Sequence, residues 1–100
     1  MTNYLREFPD FDFIPPHFKG FVDTSWHNNV SPSFTRKLNE FYSVTLWVDY
    51  LDPESRERGG SQFLVCTHET ADGDDNQVVI ETDSLLEALK SIKTLIRESL

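Results

Sequence analysis

The chain has 100 residues, of which 17 are acidic and 9 are basic, giving a formal net charge of −8. A field of this sign repels phosphate backbones, so direct nucleic-acid binding is disfavoured. The single cysteine excludes an internal disulfide, and no apolar run approaches the ~18 residues of a membrane span. The N-terminus lacks the basic and apolar regions of a secretory signal. We therefore predict one cytoplasmic domain, residues 1–100, that does not insert into a membrane.

Residues 1–42 follow no regular pattern and are predicted to form an irregular, aromatic-rich arm followed by loops. Pro9 and later prolines interrupt any long helix. Because disordered chains are poor in aromatics, we expect the arm to pack across the domain. Docking of the arm onto a partner or a second subunit is the alternative. Residues 18–22 are a candidate short strand, and residues 35–42 are a candidate helical turn or irregular lead-in.

The segment from 23 to 34 is a loop by composition, because Ser, Asn, Asp and Pro supply turn chemistry. It places versatile hydrogen-bonding groups beside a large aromatic ring, and loops carry function disproportionately. The first candidate binding site therefore consists of Trp26, His27, Asn28 and Asn29. The alternative is structural: the polar side chains satisfy their own backbone in turns, and Trp26 fills a gap in the core.

Residues 43–51 are the most strand-like run, with β-branched and aromatic residues on alternating faces. The residues predicted to face the core are Val44, Leu46, Val48 and Tyr50. Trp47 falls on the opposite face, where we expect another part of the chain, such as the arm, to cover it. An exposed Trp47 that anchors a partner is the alternative.

Two further strands are predicted, at residues 62–69 and 77–82, after a charged loop with one helical turn at 53–58. The strand at 62–69 has apolar side chains on both faces, which is typical of a central strand covered on both sides. An Asp-Gly hairpin loop joins the two strands. The acids of this loop form the second candidate contact surface: Asp72, Asp74 and Asp75.

The clearest element is a C-terminal amphipathic helix within residues 83–99. Ser84 and Glu87 fit a capping box, with Asp83 as an alternative N-cap. The apolar stripe recurs at helical spacing through Leu85, Leu89, Ile92 and Ile96. We expect this stripe to cover the core face of the sheet, and a dimer interface is the alternative.

Together these elements predict an α+β fold. A small antiparallel meander of about three strands, within residues 43–82, is packed by the C-terminal helix at 83–99 and preceded by the irregular arm and loops at 1–42.

No pattern indicates catalysis or a bound cofactor. Cys66 and His68 project from one strand face and are weak metal candidates, but one thiolate and one imidazole do not make a zinc signature. No phosphate-cradling glycine loop, nucleophile elbow or complete calcium loop is present. We therefore expect no catalytic residue, no metal and no cofactor.

These observations favour a non-catalytic interaction module that binds another protein with a basic surface. An inhibitor or immunity-type protein that blocks a nucleic-acid-binding partner is one concrete form. The expected contacts are one patch that includes Trp47 with residues 26–28, and a second patch of loop acids. The alternative is a small-ligand or enzymatic site formed by residues 26–29 over the sheet. A homodimer that uses the arm or the helix is a third interpretation.

Overall fold

The computed structural model describes residues 4–15, 19–27, 29–56, 60–69 and 76–99. Within these residues five antiparallel strands form one sheet in the order β1-β2-β3-β4-β5, so each strand pairs with its neighbours in sequence. The strands are β1 (Val22–Asp23), β2 (Ser33–Lys37), β3 (Tyr42–Val48), β4 (Phe63–Glu69) and β5 (Gln77–Thr82). The described helices are α1 (Tyr4–Glu7) and α2 (Leu85–Glu98), and a 3-10 turn spans Pro53–Ser55.

The α+β meander with a C-terminal helix is confirmed, but the described sheet has five strands where about three were predicted. Both additional strands, β1 and β2, lie within residues 1–42; β1 begins at the last residue of the candidate strand at 18–22, whereas β2 lies where a loop and a helical turn were predicted. In β2, Phe34 is buried opposite Leu46, and hydroxyl side chains occupy the alternate positions. The alternation cannot be recognised in the sequence, because Phe34 is the single apolar residue of β2 and two charged residues end the strand. The helical turn predicted within residues 35–42 is therefore wrong, and the irregular lead-in is confined to residues 38–41.

The core lies on one face of the sheet. Val44, Leu46 and Val48 of β3 are fully buried, as their alternation predicts, and they lie beside Phe63 and Val65 of β4. Burial of one such side chain contributes about 2 kcal/mol relative to its exposure to water. This cluster fixes which residues of the neighbouring strands face the arm and the helix.

Helix α2 covers the part of the core face that β4 and β5 form, and it buries Ala88 and Ile92 there. Ser84 is its N-cap, because the Ser84 Oγ accepts the N–H of Glu87 at 3.2 Å. Glu87 does not complete the predicted capping box; it accepts the hydroxyl of Thr82 at 2.8 Å. Neither helix of the described residues has the length and apolar character needed to cross a membrane.

The described part of the arm packs on the remainder of the core face. Its rings meet core and loop rings edge to face, in the pairs Tyr4–Phe34 (6.4 Å between centroids), Phe11–Tyr50 (5.0 Å) and Phe13–Phe63 (5.9 Å). Phe8 is buried as well. Such pairs add about 1 kcal/mol each to the apolar burial, so the arm is part of the fold.

The opposite face of the sheet carries Trp47 and a row of hydroxyl groups. Thr24, Thr35 and Thr45 lie in succession with their Oγ1 atoms 3.0 Å apart, and the Thr45 Oγ1 lies 3.1 Å from the Nε2 of His68. Helix α2 and the described arm both pack on the core face. The rings of the described arm therefore do not provide the cover expected for Trp47, although Thr45 and Cys66 on the same face are buried. Trp47 is half-buried.

Candidate functional site

A groove of about 410 Å³ opens where the arm, the β1–β2 loop and the segment after β3 come together. We call it the arm groove, and its described lining residues are Phe8, Asp10, His27, Asn29, Val30, Tyr50 and Ser55. Its volume lies within the range of sites that bind small molecules or single side chains. The groove therefore brings the loop that the sequence singled out together with residues that the sequence did not.

Two carboxylates of the arm attach it to the segment after β3. The Tyr50 hydroxyl donates to Asp10 Oδ1 at 2.7 Å, and the N–H groups of Leu51 and Asp52 donate to the two carboxylate oxygens of Asp12 at 2.8 and 2.9 Å. Burial and the bond to Asp10 raise the pKa of Tyr50. The pKa of Asp12 is lowered, since its N–H donors outweigh a burial effect of opposite sign. Asp10 is thereby held at the groove wall.

The β1–β2 loop is attached to α1 through His27. Its Nδ1 lies 2.8 Å from Glu7 Oε1, and its backbone N–H donates to the same oxygen at 3.1 Å. These two hydrogen bonds, the side-chain bond first, lower the pKa of Glu7. Trp26 stacks beside the imidazole with ring centroids 4.4 Å apart and is 50% exposed, so it does not fill the core.

The third wall is the loop between β3 and β4, which Arg56 holds in place. Its guanidinium donates to the carbonyl oxygens of Tyr50 (2.6 Å), Leu51 (3.0 Å) and Gly60 (3.0 Å). The Arg56 side chain is only 7% exposed. The planar guanidinium can hold all three carbonyls because its N–H donors point in different directions.

The electrostatic character of the arm groove follows from this arrangement. Of the described residues that line it, none is lysine or arginine, and Arg56 nearby is engaged by loop carbonyls. Asp10 contributes a carboxylate to the wall, and Glu7 lies behind His27. The groove is therefore suited to a cation.

The predicted site residues fall in different places. Asn29 lines the groove beside His27, and its N–H donates to the carbonyl of Trp26 at 2.9 Å. Trp47 lies on the opposite face of the sheet and is not a described lining residue. The remaining candidates, Asn28 and the loop acids Asp72, Asp74 and Asp75, lie outside the described residues.

Sequence reasoning did not propose Glu7, Asp10 or Tyr50. The acids of the arm carry no spacing that distinguishes them, and Tyr50 reads simply as the last core-facing position of its strand. Only the fold of the arm brings Asp10 to Tyr50, forty positions further along the chain.

The weak metal candidates lie apart from the groove. Cys66 is buried opposite Thr45, and His68 engages Thr45 through Nε2 and the Glu69 carbonyl through Nδ1 (3.2 Å). The described residues contain no group of three or more His, Cys, Asp or Glu side chains placed to hold a metal ion.

The His27–Glu7 pair resembles a general base with its orienting carboxylate in geometry alone. Among the described residues, no hydroxyl or thiol lies within hydrogen-bond distance of the second ring nitrogen of His27. The bond to Glu7 attaches the loop to the arm, which is a positioning role.

Comparison with known proteins gives no matching family model, no similar curated protein and no similar solved structure.

Proposed function

We propose that this protein is a non-catalytic interaction module that binds a basic segment of another protein through the arm groove. The observation that carries the proposal is the groove's chemistry: a concave site that joins the Asp10 carboxylate to aromatic rings, with no lysine or arginine among its described lining residues. An inhibitor or immunity-type protein that occupies the basic face of a nucleic-acid-binding partner is one concrete form.

A lysine or arginine side chain matches this groove in both of its parts. Asp10 attracts the charged head, while the half-buried ring of Tyr50 offers apolar surface to the hydrocarbon stem. Asn29 and Ser55 add uncharged polar groups at the walls. Exposed Trp26 beside the groove supplies the kind of aromatic anchor that contributes most at protein interfaces.

The charge of the whole chain supports the same partner. A net charge of −8 raises the encounter rate with a basic protein and opposes association with acidic ones. Because such steering depends on salt, it separates this proposal from recognition by apolar contact alone.

The test uses a fluorescein-labelled nonapeptide that alternates arginine and glycine, with a citrulline counterpart as the neutral control. Fluorescence anisotropy measures its affinity at about 50 mM and about 500 mM salt. We expect binding of the arginine peptide, weakening by about tenfold or more at the higher salt, and no binding of the citrulline peptide.

The groove itself is tested with Asp10→Asn, which removes the charge but retains an acceptor for the Tyr50 hydroxyl. We expect a loss of affinity of about fivefold to tenfold, which corresponds to about 1 kcal/mol or slightly more. Glu98→Gln is the matched control, because it removes the same charge from an exposed position at the end of α2. Equal losses of affinity in the two variants would contradict a role for the groove. Such a result would mean that only the net negative charge of the protein attracts the peptide.

A small amine is the second candidate occupant, and the volume of the groove favours it. If arginine amide alone bound as tightly as the peptide, and Asp10→Asn abolished both, the groove would be a small-ligand site.

A further inference from the structure

The turn between β2 and β3 presents two aromatic side chains to solvent. Phe41 is 67% exposed and Tyr42 is 48% exposed, in a chain whose arm buries or half-buries most of its described aromatic rings. Single exposed apolar residues are common, but neighbouring exposed rings at one turn are a feature of interaction sites.

The backbone that carries these rings is fixed by Asn39. Its Oδ1 accepts the N–H groups of Phe41 at 2.8 Å and Tyr42 at 2.9 Å, while the N–H of Leu38 donates to the Tyr42 carbonyl at 2.9 Å. An asparagine that bonds two successive amides in this way closes the turn without help from the rings. The rings are therefore presented on an ordered backbone and are not required to hold the turn.

A cavity of about 350 Å³ lies at this turn, and its described lining residues are Glu40, Phe41, Tyr42 and Glu69. Glu69 is the direct cross-strand partner of Tyr42, and both glutamates are exposed. The described lining thus consists of two rings and two carboxylates, with no base among them. We call these four residues the hairpin cage.

We propose that the hairpin cage binds a guanidinium group of a basic partner segment. Ring faces attract a cation through their quadrupole, and the two carboxylates add Coulomb attraction. Guanidinium fits better than ammonium, because it is planar, stacks on rings and forms paired bonds to a carboxylate.

The hairpin cage is distinct from the arm groove. Tyr42 begins β3 and Tyr50 follows its end, so eight residues of extended chain place the two sites roughly 26 Å apart. One side chain cannot fill both. The inference rests on the proposed function for the nature of the partner, and it adds that a single basic partner gains affinity by engaging both ends of β3.

The experiment titrates ¹⁵N-labelled protein with the arginine–glycine nonapeptide and follows amide shifts at the turn. Phe41→Leu keeps apolar surface but removes the ring, and the double variant Glu40→Gln with Glu69→Gln removes the charges. We expect each to weaken binding at the turn by about twofold to fivefold. Leu86→Ala is the control, because it trims an equally exposed apolar side chain on α2 and should leave the affinity unchanged.

The outcomes separate the two proposals. If Phe41→Leu and the glutamine variant bind the peptide like the unmodified protein, the hairpin cage is not a site. That result, combined with a loss in Asp10→Asn, leaves the arm groove proposal intact. Loss of binding at the turn with no effect of Asp10→Asn supports the cage and contradicts the groove.

Discussion

Replacement of Arg56 by methionine tests how the groove wall is held. The substitution retains the apolar stem but removes the donors that reach three loop carbonyls: those of Tyr50, Leu51 and Gly60. Loss of the partly buried bond to Tyr50 costs about 1 kcal/mol, whereas the bonds to Leu51 and Gly60 lie at exposed positions, where water can replace part of the lost interaction. The bond to Asp83 adds little, since that carboxylate is 72% exposed. We therefore expect a loss of about 1–2 kcal/mol in the free energy of unfolding.

Urea unfolding followed by tryptophan fluorescence measures this loss, and in a domain of this size it corresponds to a decrease of roughly 4–16 °C in Tm. Arg97→Met is the matched control, because Arg97 is exposed on α2, and its loss should stay within about 0.5 kcal/mol. Arg56→Lys should be intermediate, since an ammonium cannot reach the three carbonyls together. A loss in Arg56→Met no larger than that of Arg97→Met would contradict this expectation, because it would mean that water also satisfies the Tyr50 carbonyl.

Two further predictions concern the elements that flank the sheet. Because the bonds from His27 lower the pKa of Glu7 below its ordinary value of 4.5, the folded state favours the carboxylate. This stabilisation is complete above that value and is lost as the pH falls below it. Between about pH 6 and pH 3, the Tm of Glu7→Gln should decline less steeply than the Tm of the unmodified protein. Identical slopes of Tm against pH would contradict the pairing of Glu7 with His27. Ser84→Ala should lose about 1 kcal/mol in urea unfolding, whereas Ser91→Ala, inside α2, should be neutral or stabilising.

The parts of the fold with their own periodicity could be predicted from the sequence. The even positions of β3, the bounds of β5 and the N-cap at Ser84 follow from local patterns that the structure retains. Strand β2 was missed because its single apolar side chain, Phe34, does not show alternation without its partner Leu46. The pairing of β2 with β3 depends on the tertiary fold, so no local propensity of the sequence predicts it.

The candidate site was predictable only in part, for a related reason. The loop composition correctly drew attention to His27 and Asn29, which line the groove. Asp10 lies at the groove because the aromatic rings of the arm pack on Phe34 and Phe63. The irregular spacing of those rings in the sequence does not predict these contacts. The exposure of Phe41 could not be predicted either, because nothing in the sequence distinguishes this residue from the buried aromatics of the N-terminal half.

The central claim is that the arm groove receives a basic segment, and one measurement tests it most directly. The ¹⁵N-labelled protein is titrated with the arginine–glycine nonapeptide at low salt, and amide shift changes are mapped onto the structure. We expect saturable changes at Asn29, Tyr50 and Ser55 that disappear with the citrulline peptide and with Asp10→Asn. Binding without any change at these three residues, or changes confined to α2, would contradict it.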